Sequence, residues 1–216
     1  MLRLEGVRKS YKLPKGGERE VLRGVDALVR KGDAIGILGR NGAGKSTLMR
    51  VISGVDHPTG GRIERGMSIS WPLGYGGALH GSLSGADNAR FVARIYDRPI
   101  DWTIGFCEEF AELGRDMHMP VRTYSSGMQS RLALALSLAV DFDCYLVDEI
   151  VAAGDSRFAS RGREELMARR GRAALIFVSH SEELIRSYCT SAAVLTQGRL
   201  FFHEDLDQAF AAYRAL

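Results

Sequence analysis

The sequence has little that would carry it across or into a membrane. Its longest apolar run, Leu132 to Val140, is about half of what a spanning helix requires. The opening, Met1-Leu-Arg-Leu-Glu-Gly-Val, places charge inside its first apolar stretch, which argues against a secretory leader. Cysteine is scarce: Cys107, Cys144 and Cys189 are three, widely spaced, with no two-residue spacing of the metal or redox-pair kind. A reduced, cytosolic setting is expected, with Cys144 as a small core residue in an apolar run. Charge of one sign is also lacking. The formal net charge is +3 with bases and acids interspersed, so no basic surface for nucleic acid stands out. There is no internal repeat, low-complexity tract or flexible linker.

What is present is an ordinary globular composition, 45% hydrophobic and 25% charged over 216 residues. That is enough to bury a substantial core, and one domain is expected over residues 1–216. Apolar and β-branched runs at Ala34–Leu38, Cys144–Val147, Ala174–Val178 and Ala193–Thr196 read as strands with helix-length segments between several of them. This alternation predicts an α/β fold with a mostly parallel core sheet. From Leu2 to Val29, two alternating stretches flank the turn-rich segment Lys12-Leu-Pro-Lys-Gly-Gly-Glu, which predicts an antiparallel hairpin in a small β layer. Between about Gly85 and Met119 strand signals vanish. Asp87–Arg98 and Trp102–Leu113 carry helical spacing, so a helical subdomain is expected within about residues 72–140.

Gly39-Arg-Asn41-Gly42-Ala-Gly44-Lys45-Ser46 matches the G-x-x-x-x-G-K-[ST] pattern between an apolar strand and the helical stretch Thr47–Ser53, with Thr47 also a candidate nucleotide contact. Glycines let backbone amides wrap a phosphate, with the positive helix end behind them. Lys45 would hold the outer phosphates of a nucleotide and Ser46 would ligate Mg²⁺. Asp148 and Glu149 end the apolar run Cys144-Tyr-Leu-Val, at the strand end where open α/β sheets bind ligands. Asp148 can complete the Mg²⁺ shell, and Glu149 can orient or deprotonate an attacking water. Taken alone, paired acids at a strand end also fit a solvated loop.

The segment Tyr124-Ser125-Ser126-Gly127-Met128-Gln129 resembles the signature of the ABC ATPases, departing from its commonest form at the first, third and fifth positions, and opens the apolar helix Arg131–Val140. By itself it would also fit a simple helix cap. Order and spacing support the resemblance: Asp148 follows Gly127 by 21 residues, Ala152-Ala-Gly-Asp155 resembles the D-loop, and His180 follows a strand in Val178-Ser-His. The resemblance implies that Tyr11 stacks on adenine, that His180 contacts the γ-phosphate, and that Asp155 belongs to the nucleotide site. It also implies a P-loop NTPase fold, ATP and Mg²⁺ as ligands, and a homodimer in which Ser125, Ser126 and Gly127 of one copy face the ATP on the other.

Tyr124-Ser-Ser-Gly-Met with Arg131-Leu-Ala and Val147-Asp-Glu-Ile-Val-Ala-Ala-Gly-Asp resembles the polysaccharide-export branch. Within it, Ser68-Ile-Ser-Trp-Pro-Leu and Ser82–Tyr96 resemble the capsular polysaccharide export ATPases of Gram-negative bacteria. That implies a separate polytopic permease and a peripheral position on the cytoplasmic face of the inner membrane, with export of teichoic acid, O-antigen or another lipid-linked glycan as the alternative. A soluble ABC protein of translation or DNA repair is the rival from another class. The relatives' loop glutamine is missing: no Gln occurs between Arg65 and Asn88, and Tyr75 falls nearest its position. Trp71, Tyr75 and Leu79 could line a partner groove or fill a core. The arginine-rich segment Arg157–Arg172 reads as a solvated helix face. His57, His80, His118 and His203 read as structural.

Overall fold

A computed structural model describes residues 1–14, 16–74, 77, 79–148 and 156–216. Tyr75, Glu149 and Asp155 lie outside the described residues. The chain divides into two compact units, the first formed by Met1–Pro72, Phe142–Glu149 and Arg169–Leu216, the second by Leu73–Asp141 and Ile150–Ala168.

The first unit holds two sheets. Strands β1 (Leu2–Lys12) and β2 (Glu18–Val29) form the expected antiparallel hairpin, and β4 (Gly60–Arg65) pairs with the other edge of β1. The second sheet runs in the order β5 (Ile69–Pro72), β6 (Cys144–Asp148), β7 (Ala174–Val178), β3 (Ala34–Leu38), β8 (Ser191–Thr196), β9 (Arg199–His203). Its pairings are parallel except at β9. Strands β3 and β7 are buried at every residue. Such continuous apolar runs are what a parallel strand covered on both faces requires.

Helix α1 (Lys45–Ser53) buries Leu48, Met49, Val51 and Ile52. These side chains join Leu2, Leu4 and Val7 of β1 and Ile35, Ile37, Leu146 and Ile176 of the large sheet in one apolar cluster. Each such side chain contributes about 1.5–3 kcal/mol on burial, and the joint cluster fixes α1 against both sheets. Helices α6 (Glu182–Tyr188) and α7 (Leu206–Arg214) complete this unit. Trp71 packs edge-on against Phe142, with ring centroids 5.4 Å apart. Its ring therefore takes part in packing.

The second unit is helical: α2 (Gly85–Ile95), α3 (Ile100–Ala111), α4 (Ser126–Ala139) and α5 (Ser156–Arg169), with 3₁₀ turns at Gly114–His118 and Val121–Thr123. Helix α4 is buried from Leu132 through Ala139, as befits a helix apolar all round. Helix α5 is less simply solvated than its arginines suggest. The Arg161 guanidinium lies 5.2 Å from the Phe110 ring centroid and donates to the Phe110 carbonyl and to Glu112 at the end of α3. It thus satisfies helix-end carbonyls while its guanidinium stands over an aromatic face.

Cys107, Cys144 and Cys189 are all free and buried, and burial pushes each thiol up to about 12. At neutral pH they stay protonated and behave as packing groups.

Candidate nucleotide site

Three neighbouring strands of the large sheet deliver the predicted chemistry to one end. In register, Asp148 of β6 lies opposite Val178 of β7, which lies opposite Ile37 of β3. Two strand spacings separate the outer members of this row, about 10 Å. One residue beyond Leu38 the chain enters the glycine loop, and two residues beyond Val178 it reaches His180. Gly39, Asp148 and His180 therefore sit at the carboxyl ends of adjacent parallel strands, the place where open α/β sheets form a ligand crevice.

The loop's shape depends on glycine at two points. A Cβ on Gly39 would come within 2.6 Å of the Leu195 carbonyl oxygen, so no side chain fits where the loop leaves β3. Gly44, the residue before α1, has φ +108°, left-handed backbone that a Cβ would strain. It also lacks a side chain, so no cap reaches the first amides of α1. Those amides and the positive end of the helix remain suited to an anion.

Lys45 folds back over this loop. Its ammonium donates to the Gly39 carbonyl at 2.5 Å and the Arg40 carbonyl at 3.2 Å. A phosphate would be a stronger, charge-assisted substitute for these two neutral carbonyls. Asn41, Gly42 and Ser46 are exposed, and Thr47 is half-buried on α1. Ser46 offers a hydroxyl and half-buried Asp148 a carboxylate. Oxygen donors of this kind suit Mg²⁺ better than a soft metal, and one carboxylate suffices where phosphates complete the shell.

His180 is exposed in the turn between β7 and α6. The turn is pinned on both sides of it: the Ser181 amide donates to Ser179 Oγ at 2.9 Å, and Ser181 Oγ caps α6 by accepting from the Leu184 amide at 3.3 Å. A cavity of about 610 Å³ lies between β2, loop residues 40–43 and the β8–β9 turn, lined among others by Arg19, Val21, Asn41, Gly42 and Gln197. Lys45, Ser46 and Asp148 do not line it.

Tyr11 lies near the end of β1, 36% exposed. Its hydroxyl donates to Asp56 at 2.7 Å, and the Lys9 ammonium, itself bonded to Asp56, stands 4.9 Å from the ring centroid. Hydrogen bonds from Lys9 first and then Tyr11 hold the Asp56 carboxyl below the usual carboxylate range. Neither Lys9 nor Asp56 is among the candidate residues that the sequence suggests. A usable signal exists, because Val7, Lys9 and Tyr11 share a period of two and a lysine in step with a core valine needs a buried acceptor.

In the second unit, the signature segment also opens a helix. Ser125 is the N-cap of α4, its Oγ accepting from the Met128 amide at 3.2 Å. Tyr124 is buried and donates its hydroxyl to the Asp116 carbonyl at 2.5 Å, while Gln129 donates back to the Tyr124 carbonyl at 3.3 Å. These bonds fix the turn from both sides and leave Ser125, Ser126 and Gly127 exposed.

Comparison with known proteins finds relatives along the whole chain. Residues 22–152 match the family model described as ABC transporter. The capsule polysaccharide export ATP-binding protein CtrD of Neisseria meningitidis serogroup B is 53% identical, over 100% of both chains. The polysialic acid transport ATP-binding protein KpsT of Escherichia coli is 43% identical, over 99% of each chain. Among solved structures, a dimeric ATP-binding cassette in a post-hydrolysis state bound to ADP and phosphate superposes with a TM-score of 0.77. It covers 93% of this chain and 96% of its own at 22% identity, a likeness of fold.

Proposed function

The chain belongs to the ABC transporter family, and on that premise we propose that it is the ATP-binding and hydrolysing subunit of an exporter, driving capsular polysaccharide across the inner membrane through a separate transmembrane subunit. The observation that carries the export reading is the 53% identity to CtrD along the whole of both chains. The ATPase reading rests on the row of Gly39, Asp148 and His180 at adjacent strand ends. Among the described residues no helix is long and apolar enough to cross a membrane, which is compatible with peripheral attachment to a permease.

Each residue then has a task. Lys45 exchanges its two loop carbonyls for the β- and γ-phosphates, and the amides from Asn41 to Thr47 with Gly42 and Gly44 wrap them. Ser46 and Asp148 hold Mg²⁺, which when bound neutralises charge on the phosphate oxygens. Glu149 orients the attacking water and takes its proton. His180 contacts the γ-phosphate from the β7–α6 turn, and Asp155 takes part in nucleotide binding. A second copy supplies Ser125, Ser126 and Gly127 to the same γ-phosphate. Contacts to a phosphate that hydrolysis removes are contacts whose loss separates the copies, so turnover becomes a cycle of association and release.

Two measurements test this. Light scattering with MgATP should show Glu149→Gln accumulating as a dimer; a Glu149→Gln protein that binds ATP and stays monomeric overturns the dimer mechanism. In the native host, deletion of the gene should leave capsular polysaccharide inside the cell, with surface export restored by the wild-type chain and not by Glu149→Gln. Normal surface polysaccharide in the deletion strain overturns the export reading while leaving the ATPase intact.

A further inference from the structure

We propose that Lys9 and Asp56 are positioning residues that hold the Tyr11 ring as a pre-set platform for the nucleotide base, locking it to the same helix that carries the phosphate loop. The inference rests on the reading of Tyr11 as the adenine-stacking residue, and it concerns how that ring is held.

The argument begins in β1. A register shift between Leu4 and Val7 turns the strand so that Val7 and Lys9 point inward, Val7 fully buried and Lys9 only 8% exposed. A buried ammonium needs an acceptor, and Asp56 supplies one at 2.5 Å, with the His57 carbonyl at 2.7 Å. The second carboxylate oxygen of Asp56 accepts from the Tyr11 hydroxyl at 2.7 Å. Asp56 thus divides its two oxygens between a cation beneath the ring and the phenol at the ring's edge. With the ammonium 4.9 Å from its centroid, one ring face is claimed, and a base must arrive at the other.

Asp56 does not need Tyr11 to stay in place. Its own amide donates to the Arg50 carbonyl of α1 at 3.0 Å, just past the left-handed Gly54 that ends the helix. Downstream, the Thr59 amide donates to the Arg8 carbonyl at 2.8 Å, and Thr59 Oγ accepts from the Ser10 amide at 3.1 Å. Since the segment is already tied to both α1 and β1, the phenol bond acts on the ring. It removes rotamer freedom from a side chain at the exposed end of a strand before any ligand arrives. Because α1 begins at the phosphate loop and its Arg50 carbonyl holds the Asp56 amide, platform and cradle are referred to one rigid element.

The test compares a ligand with a base and one without. The dissociation constants of ATP and of inorganic triphosphate, each with Mg²⁺, are measured calorimetrically on the full chain. Tyr11→Ala should weaken ATP by about tenfold or more, with inorganic triphosphate unchanged. Tyr11→Phe keeps the ring and loses its anchor; it and Asp56→Asn should each weaken ATP by about threefold to tenfold, again sparing inorganic triphosphate. Their combination should be no worse than Asp56→Asn alone, because both disrupt the Asp56–Tyr11 bond while Asp56→Asn also weakens the pair with Lys9. If Tyr11→Ala changes the ratio of the two constants and Tyr11→Phe leaves it at the wild-type value, the platform reading stands and the positioning proposal is overturned. If Tyr11→Ala itself leaves the ratio unchanged, Tyr11 is not the base platform and the underlying reading falls with the proposal. Should Asp56→Asn prove unstable, Tyr11→Phe alone still decides.

Discussion

Two helix beginnings in this molecule, at Lys45 in one unit and Ser126 in the other, are built in opposite ways. Helix α1 follows a left-handed glycine with no side-chain cap, and a lysine lies across its entrance. Helix α4 follows Ser125, whose hydroxyl already accepts one of the first amides. A helix start with no side-chain cap and a cation beside it binds an anion on its own. A start that has satisfied part of its own demand gains less from one, and serves better as a second, conditional contact. The difference predicts that a single copy binds nucleotide through α1 alone, and that α4 matters only where a second copy offers a γ-phosphate.

The largest expected effect breaks the stronger member of this pair. Lys45→Ala should weaken MgATP by about thirtyfold or more, the weight of a charge-assisted contact of roughly 2–3 kcal/mol. Calorimetry on the dilute protein measures it, with Ser126→Ala in parallel. That second variant should leave the ATP constant within about twofold, given that surface substitutions usually stay within 0.5 kcal/mol, while lowering steady-state hydrolysis. Wild-type ATP binding by Lys45→Ala would remove the loop from the phosphate site. Equal losses in both variants would erase the asymmetry.

A smaller effect isolates the support beneath the signature turn. A Cβ on Gly85 would stand 2.7 Å from the Tyr124 hydroxyl oxygen and 2.9 Å from the Met117 sulfur. Gly85→Ala should therefore cost about 1–3 kcal/mol by overpacking, visible as a lower melting temperature. Since Gly85 and Tyr124 belong to the helical unit, ATP affinity should stay at the wild-type value while hydrolysis falls with the displaced turn. A loss of ATP affinity as large as that of Lys45→Ala would mean that the signature turn already takes part in binding by one copy.

Much of this architecture is legible in the amino-acid sequence. Strands β3 and β7 occupy the residues that their apolar runs predict, since a strand buried on both faces needs no partner to announce itself. The hairpin follows from its turn chemistry, and its outer limits, Leu2 and Val29, match the predicted segment. The clamp on Tyr11 is harder to read. The step of Lys9 with Val7 can be read, but the register shift in β1 that turns it inward and the carboxylate 47 residues away are not local properties of the chain. Arg161 escapes for the same reason: in sequence it is one of several arginines on a polar helix, and only packing against Phe110 sets it apart. Edge strand β9 carries exposed Phe201 and Phe202, so it lacks the burial pattern by which a core strand is recognised.

The smallest effect is the most discriminating, because it separates the Ser125 hydroxyl from the backbone it caps. Alanine at a helix N-cap removes the hydroxyl acceptor, whereas glycine loses the same bond but leaves the amide open to water, so replacement by Ala costs about 1 kcal/mol and by Gly only a few tenths. Ser125→Ala should accordingly lower the urea midpoint measurably, and Ser125→Gly should stay close to wild type. Glycine also recreates at α4 the uncapped start that Gly44 gives α1, without a lysine beside it. If uncapped amides are enough to hold an anion, Ser125→Gly should gain affinity for inorganic phosphate. If the cation is the larger part of the α1 site, as its charge-assisted contact implies, phosphate binding should not rise above that of the wild-type chain.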